Sequence, residues 1–247
     1  MLAKTTSTKL IDLYQKSYYL NMKIDQSSLQ FLKDLKKNNY RDWFNNNKKR
    51  YESIKPEVKK FYEEIRNNLN EHDEIDRLKM FRIYRDVRFS KDKTPYQPHF
   101  AGSFSRSGNR LRGGYYLRIR PGESFLAGGF WAPNKEDLFR IRKEFELDDQ
   151  EICSILTEKE FKKIFDGKLV GEEVKTAPKG FSKDHPAIDL IRKKGFVAVR
   201  EFTDKEVLSA NFIEEVDQSF RALRPFFNYM SEVLTTDLNG VSLIDDA

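Results

Sequence analysis

Residues 115–131 read YYLRIRPGESFLAGGFW, and this stretch decides the fold class. Its first six residues alternate between apolar and polar or charged side chains, which is typical of a β-strand with one buried face. The pair Pro121-Gly122 then predicts a tight turn, and the apolar run after it predicts a second strand. Two strands joined by a short turn form a hairpin, so we expect a mainly antiparallel sheet.

Other segments have strand-like sequences that would extend this sheet. They are Met80 to Phe89, Phe100 to Arg106, Gly167 to Lys175 and Gly195 to Phe202. The first of them alternates, except that Arg85 stands at an apolar position. A turn at Ser107-Gly108-Asn109 favours an antiparallel meander.

Helical periodicity precedes and follows the strands. Apolar residues three and four apart predict a buried helical stripe before the sheet, at Ile54, Val58, Phe61, Ile65 and Leu69. Pro56 is expected in the first turn of that helix, where its missing N–H is tolerated. Helix starts are expected at Ser27 with Gln30, Asn134, Thr157 with Glu160, and Thr203 with Glu206.

The last helix has apolar residues at steps of three and four from Ile213 to Leu234. Pro225 lies inside this pattern and must kink or split the helix, because it removes a backbone donor and clashes with the preceding turn. The chain is therefore predicted to be an α+β protein: a mainly antiparallel sheet packed with helices, and a long C-terminal helix kinked near Pro225.

Length and composition restrict the class of protein. The chain has 247 residues, and we expect residues 1–21 to be a peripheral leader and residues 22–247 to form a single α+β domain. No apolar run is long enough for a membrane helix. One cysteine, Cys153, excludes an internal disulfide framework, and with widely spaced histidines it predicts no metal site. We expect a cytoplasmic location and no cofactor.

Positive charge is concentrated in one part of the chain. The net charge is +6, yet residues 81–120 alone carry ten basic and two acidic side chains, a net charge of +8. Aromatic residues lie between these cations, as in surfaces that bind nucleotides or single strands. Alternation in a half-buried sheet produces the same pattern, so both interpretations stay open here.

The run from Arg82 to Tyr96 carries the strongest chemical signal. If Met80 to Phe89 is a strand, then Arg82, Asp86 and Arg88 share one face, and the carboxylate can hold two guanidiniums toward an anion. The predicted ligand-binding residues are Arg82, Arg85, Asp86, Arg88, Lys91, Lys93, Tyr96, Arg118 and Arg120. The alternative is an internal Arg–Asp network that stabilises the sheet.

This run also resembles the signature of an uncharacterised bacterial family, the domain of unknown function DUF2461. The signature is Arg-x-x-Arg-Asp-x-Arg-Phe followed by Lys-x-x-Tyr, and the matching residues are Arg82, Arg85, Asp86, Arg88, Phe89, Lys93 and Tyr96. The similarity extends from about Ile24 to Thr235, through Asn38-Asn39 and Asp184-His185-Pro186. The resemblance implies that these residues matter, and it implies no activity, substrate or cofactor.

Weaker candidates have ordinary structural explanations. His185 has an acid–base side chain, but its place before Pro186 suits a helix start. Cys153 has apolar neighbours and is expected in the core. Glu172 and Glu173 would face opposite sides of a strand, which argues against a shared cation.

Three functions remain open at this stage. The first is a binding module for a phosphate-bearing ligand, either a nucleotide or nucleic acid. The second is an enzyme acting on such a ligand, with acid–base groups among His185, Asp86, Asp92 and Tyr96. The third is a structural protein whose arginines Arg82, Arg85 and Arg88 are paired and hidden. The binding module is our first expectation, and the oligomeric state is not determined by these patterns.

Overall fold

The structure is a computed structural model that describes residues 22–244. Its strands are β1 (Ile75–Met80), β2 (Phe100–Arg106), β3 (Gly114–Ile119), β4 (Ser124–Phe130) and β5 (Phe196–Phe202). They form a five-stranded sheet in the order β1-β2-β3-β4-β5, and every neighbouring pair is antiparallel. The predicted hairpin is confirmed, with Leu117 opposite Leu126.

Alternation gives the sheet two different faces. On β3, Tyr115 and Leu117 are buried against helices, whereas Tyr116 and Arg118 point to the other face and are half-buried. The first set forms the core because burial of apolar surface drives the packing of the helical layer. The second set forms what we call the outer face of the sheet.

Helices precede the sheet: α1 (Gln26–Lys37), α2 (Arg41–Asn46) and α3 (Lys48–Asn70). The predicted apolar stripe of α3 is buried. The placement of Pro56 was wrong, because the helix begins at Lys48 and Pro56 lies inside it. The cap at Ser27 was also wrong, since Asp25 is the N-cap and accepts a hydrogen bond from the Ser27 N–H.

The helices after β4 are α4 (Lys135–Leu147), α5 (Gln150–Thr157), α6 (Lys159–Phe165) and α7 (Ile188–Ile191). Asn134 caps α4 as predicted and accepts from the Asp137 N–H. Thr157 ends α5 rather than starting a helix, and Glu158 caps α6 with its own carboxylate.

Two predicted strands were wrong. The segment Gly167 to Lys175 makes only isolated bridges, at Val170 with Val197 and at Glu173 with Lys193. The strand predicted at Met80 to Phe89 is instead β1, which ends at Met80. Alternation continues beyond that point, but after Phe81, whose N–H still donates to Ala101 O, the chain leaves β2 and forms no further ladder with it.

The chain ends with α8 (Asp204–Val207), α9 (Phe212–Ala222) and α10 (Arg224–Thr235). The capping box of Thr203 and Glu206 is confirmed at the start of α8. The long C-terminal helix is split at Leu223, which confirms the kink near Pro225, and Pro225 lies in the first turn of α10. The apolar residues of both pieces remain buried.

The predicted leader, residues 1–21, lies outside the described residues, and the division into leader and single domain stays a prediction. Between residues 22 and 244, no helix combines the length and the apolar character that a bilayer crossing requires.

Candidate phosphate-binding site

Residues 81–99, which we call the arginine loop, fold back on themselves between β1 and β2. The Arg85 N–H donates to Pro95 O at 2.9 Å, and the Gln97 N–H donates to Ile83 O at 2.6 Å. Tyr84 and Tyr96 form an isolated bridge between the two halves. The loop is therefore ordered by its own backbone rather than by the sheet.

Tyr96 anchors this loop to α2. Its ring is buried and stacks on Phe44 with a centroid distance of 4.1 Å. Asn39 makes two hydrogen bonds to the Tyr96 backbone, donating from Nδ2 to the carbonyl at 2.9 Å and accepting from the N–H at 3.1 Å. Tyr96 and Asn39 therefore fix the arginine loop against the helices before the sheet.

Arg85 connects the two sides of the loop. Its side chain is only 19% exposed, pairs with Asp92, and donates to Thr94 Oγ1 at 2.6 Å and Ser90 Oγ at 3.2 Å. Hydrogen bonds from the Thr94 N–H and from Arg85 lower the pKa of Asp92 to about 2. Arg85 therefore has the partner that a buried charge requires.

Lys93 closes the tip of the loop by binding its backbone carbonyl groups. Its Nζ donates to Val87 O at 3.0 Å and to Arg88 O at 3.5 Å. The Lys93 ammonium is exposed, but its hydrogen bonds to these carbonyl oxygens stabilise the loop tip that carries Arg88.

Arg88 and Asp86 form a pair on the solvent side. The guanidinium Nη2 lies 2.6 Å from Asp86 Oδ2, and the side chains are 77% and 55% exposed. Hydrogen bonds from Arg88 lower the pKa of Asp86. Because no strand forms here, the expected shared face was wrong, and Asp86 holds Arg88 alone. Next to this pair, Phe89 is 97% exposed, and Lys91 is exposed as well.

Arg82 faces a groove between α3 and the start of the arginine loop, with a volume of about 400 Å³. We call it the basic groove. Its charged residues are Lys48, Glu52, Lys55, Lys59 and Arg82, and its aromatic walls are Tyr51, Phe81, Tyr84 and Phe100. Four cations thus surround one carboxylate, and within residues 22–244 none of the four makes an ion pair.

Helical spacing explains why the lysines converge. Lys48, Lys55 and Lys59 are seven and four residues apart on α3, so they lie on one face of the helix. Lys55 Nζ is 6.0 Å from the centre of the Tyr51 ring, and burial raises the pKa of Tyr51 to about 12. The spacing of these lysines could be read from the sequence, but only the fold shows that Arg82 lies beside them.

Arg118 lies on β3 and Arg120 directly follows this strand, away from the tip of the arginine loop. Arg118 stacks over Phe125 at 4.3 Å and donates to Glu123 O at 3.1 Å. Arg120 pairs with the Glu123 carboxylate at 3.4 Å. The predicted site residues therefore divide among the basic groove, the loop tip and the outer face of the sheet.

A trough of about 510 Å³ lies on that outer face. Its floor consists of small residues, Ser103, Ser105, Gly114, Ala127 and Gly129, and its walls include Tyr116, Phe125 and Trp131. Phe81 connects the trough with the basic groove, because it lines the groove and its ring centre is 6.1 Å from that of Tyr116.

His99 is a residue that the sequence did not single out. It is half-buried near Arg118 and Arg120, and burial together with these two cations lowers its pKa to about 4. The imidazole is therefore neutral near pH 7, which reduces repulsion between the three groups.

The weaker candidates have structural roles or are exposed. His185 Nδ1 accepts from the Ala187 N–H at 3.1 Å, which leaves Nε2 to donate to Glu146 O at 3.1 Å. Cys153 is exposed, so its expected place in the core was wrong, because it lies on the solvent side of α5. Glu172 and Glu173 pair with Lys194 and Arg192.

No group of three His, Cys, Asp or Glu side chains in the described part of the chain could hold a metal ion.

A buried ionic network was also missed. Asp73 has no exposed side-chain surface and binds Arg106, Arg224 and the Tyr115 hydroxyl. Burial alone would raise the pKa of Asp73, but hydrogen bonds from Tyr115 and Arg224 and the charge of Arg106 lower it overall. These partners are far apart in the sequence, so no local pattern connects them.

Comparison with known proteins gives one family. The model of the family described as "Conserved hypothetical protein (DUF2461)" matches residues 27–229, from α1 into α10. No curated protein and no solved structure matches the chain. The match includes the sheet, the arginine loop and the basic groove.

Proposed function

This chain belongs to the DUF2461 family of conserved hypothetical proteins, and from that premise we propose that it is a binding module for a phosphate-bearing ligand, a nucleotide or nucleic acid. The phosphates lie in the basic groove, against Lys55, Lys59 and Arg82. A cytoplasmic location is part of the same proposal, because a chain with one cysteine has no need of an oxidising compartment.

One observation carries the proposal: four cations and only one carboxylate, Glu52, line the groove, and none of the four cations forms an ion pair among the described residues. Like charges placed close together cost free energy in an empty groove, and an anion removes that cost. Arg82 adds a planar fork of donors that suits phosphate oxygens. Arg88 and Lys91 at the exposed loop tip would add attraction at longer range.

The two alternatives have less support. An enzyme would need a free acid–base group beside the phosphates. The Tyr96 ring is instead buried against Phe44, Asp86 and Asp92 pair with arginines, and His185 binds backbone groups. A purely internal Arg–Asp network fits Arg85, but Arg82 and Arg88 are exposed.

The test compares two charge-matched triple variants. One carries Lys55→Gln, Lys59→Gln and Arg82→Gln in the groove. The control carries Lys60→Gln, Lys162→Gln and Lys205→Gln, which are exposed lysines outside the groove. The probes are inorganic tripolyphosphate, ATP and an oligothymidylate of about 12 nucleotides, measured by calorimetry or fluorescence anisotropy.

We expect the wild type and the control to bind at least one probe, with affinity that falls as salt is added. The groove variant should bind at least about tenfold more weakly, since one charged hydrogen bond contributes on the order of 1.5–3 kcal/mol. Absence of binding by the wild type, or equal loss in both variants, would overturn the proposal.

A further inference from the structure

We propose that the ligand is a single-stranded nucleic acid whose bases stack on the outer face of the sheet while its phosphates continue into the basic groove. This inference rests on the proposed function and adds the trough as a second part of the site. The occupant is a strand of several nucleotides, because one nucleotide would fill only the groove or only part of the trough.

A row of aromatic rings crosses the outer face of the sheet. Ring centres are 6.1 Å apart between Phe81 and Tyr116, and 5.6 Å apart between Tyr116 and Phe125. The row begins in the basic groove, where Phe81 is a wall, and ends beside the trough. Aromatic platforms on a sheet surface bind bases of any sequence, since every base has a flat π-face.

The floor of the trough consists of small residues beside these rings. Tyr116 lies opposite Ser103 on β2 and opposite Ala127 on β4, so a low surface flanks the ring on both sides. Small side chains let flat rings approach the sheet closely, and Trp131, 77% exposed, forms a wall at the far end. A double helix hides its base faces, so only an unpaired strand can use this surface.

Positive charge lies on the outer face of the sheet, beside the trough. Arg77 and Lys79 project from β1 toward the outer face, because they pair with Ser105 and Ser103. Both cations are exposed and make no ion pair with another described residue, and Lys79 Nζ is 5.4 Å from the Phe81 ring centre. With Arg118 on β3, these cations border the aromatic row and complement a phosphate backbone.

The test uses two strands with the same phosphates. One is a labelled oligothymidylate of about 12 nucleotides, and the other is an abasic strand of the same length. Three variants are measured separately, Tyr116→Leu, Phe125→Leu and the control Phe139→Leu. Phe139 is an exposed ring on α4 that lines neither the trough nor the groove. Thermal unfolding shows whether each variant is folded. If Tyr116→Leu or Phe125→Leu is not folded, Trp131→Leu is measured in its place.

We expect the wild type and Phe139→Leu to bind the oligothymidylate about tenfold more tightly than the abasic strand. Tyr116→Leu and Phe125→Leu should remove most of that difference and leave affinity for the abasic strand unchanged. Equal binding of the two strands by the wild type, or tighter binding of a duplex of the same length, would overturn the inference while the phosphate site stands. Absence of binding to both strands and to tripolyphosphate would overturn both proposals.

Discussion

At Asp73, one carboxylate without exposed surface holds two guanidiniums and a phenol. Arg106 is fully buried with it and donates onward to Arg112 O at 2.9 Å and Ser231 Oγ at 3.2 Å. The network joins the turn after α3 to β2 and α10. It is the kind of site where removing one charge leaves the others without compensation.

We predict that Asp73→Asn lowers the free energy of unfolding by about 3–5 kcal/mol, because the buried Arg106 and the partly exposed Arg224 both lose their counter-charge. Urea denaturation measures this directly. The control is Asp86→Asn, which removes an exposed carboxylate and should leave the unfolding midpoint nearly unchanged. Similar stability of both variants would show that Asp73 is not the centre of the network.

Arg88 illustrates the opposite case, a charge pair in solvent. Arg88→Gln should leave the free energy of unfolding unchanged, since Asp86 stays hydrated when its partner is removed. If the cation attracts the ligand, the same variant weakens binding of tripolyphosphate. A large loss of stability in urea would mean that the loop tip is packed in a way that its exposure does not indicate.

His99 makes stability depend on pH in a defined window. Its pKa in the folded protein is about 4, below the ordinary value near 6.5, so the unfolded chain binds a proton first as pH falls. The stabilisation is complete above pH 6.5 and is lost between about pH 6.5 and 4. The loss should be about 1–3 kcal/mol after allowance for solvent screening.

The measurement is urea denaturation at several pH values for the wild type and for His99→Gln. The variant should have a flatter profile between about pH 6.5 and 4, because Gln does not titrate in this window. Carboxylates contribute equally to both proteins, so the difference isolates His99. Parallel profiles would contradict a lowered pKa.

At the scale of elements, the kinked C-terminal pair α9 and α10 provides much of the core. Leu223 and Phe227 are fully buried at the break, and Phe227 packs on Tyr115 with a centroid distance of 4.8 Å. Leu223→Ala and Phe227→Ala should each cost about 2–5 kcal/mol, from lost transfer free energy and the cavity left behind. The exposed Asn228→Ala on α10 is the control, and urea stability unchanged in all three would contradict this packing.

Periodicity predicted these elements well because burial itself creates the pattern. The stripe of α3, the hairpin of β3 and β4, and the C-terminal kink at Pro225 each depend on residues close in sequence. Alternation wrongly predicted a strand at Met80 to Phe89, because a strand also needs a neighbouring strand. The last residue pair between β1 and β2 is Met80 with Gly102. The segment Gly167 to Lys175 does have neighbours, but it meets them only at isolated bridges, so no strand forms there.

In the whole molecule, the candidate site combines residues that the sequence pattern predicted with residues that only the fold brings together. The excess charge of residues 81–120 was visible, and Arg82, Arg88 and Lys91 are exposed as a binding surface requires. The lysines of α3 were missed, because their spacing matters only once the arginine loop lies beside them. Arg85, Lys93 and Tyr96 also belong to the motif, but in the structure their contacts stabilise the arginine loop.

The number of phosphates that the protein contacts determines how binding responds to salt. For a single strand, the logarithm of the affinity falls with the logarithm of salt concentration by about 0.7 per phosphate neutralised. The groove variant, Lys55→Gln with Lys59→Gln and Arg82→Gln, should therefore have a slope smaller by about 2. Fluorescence anisotropy with oligothymidylate from low to high salt gives both slopes. Identical slopes would mean that these three cations do not contact phosphates.

A crystal structure with inorganic tripolyphosphate would show where the protein binds phosphates. We predict that the phosphate chain lies in the groove, with oxygens within about 3 Å of Lys55 Nζ, Lys59 Nζ or the Arg82 guanidinium. An empty groove at a saturating concentration of tripolyphosphate, or tripolyphosphate bound only elsewhere on the protein, would contradict the account.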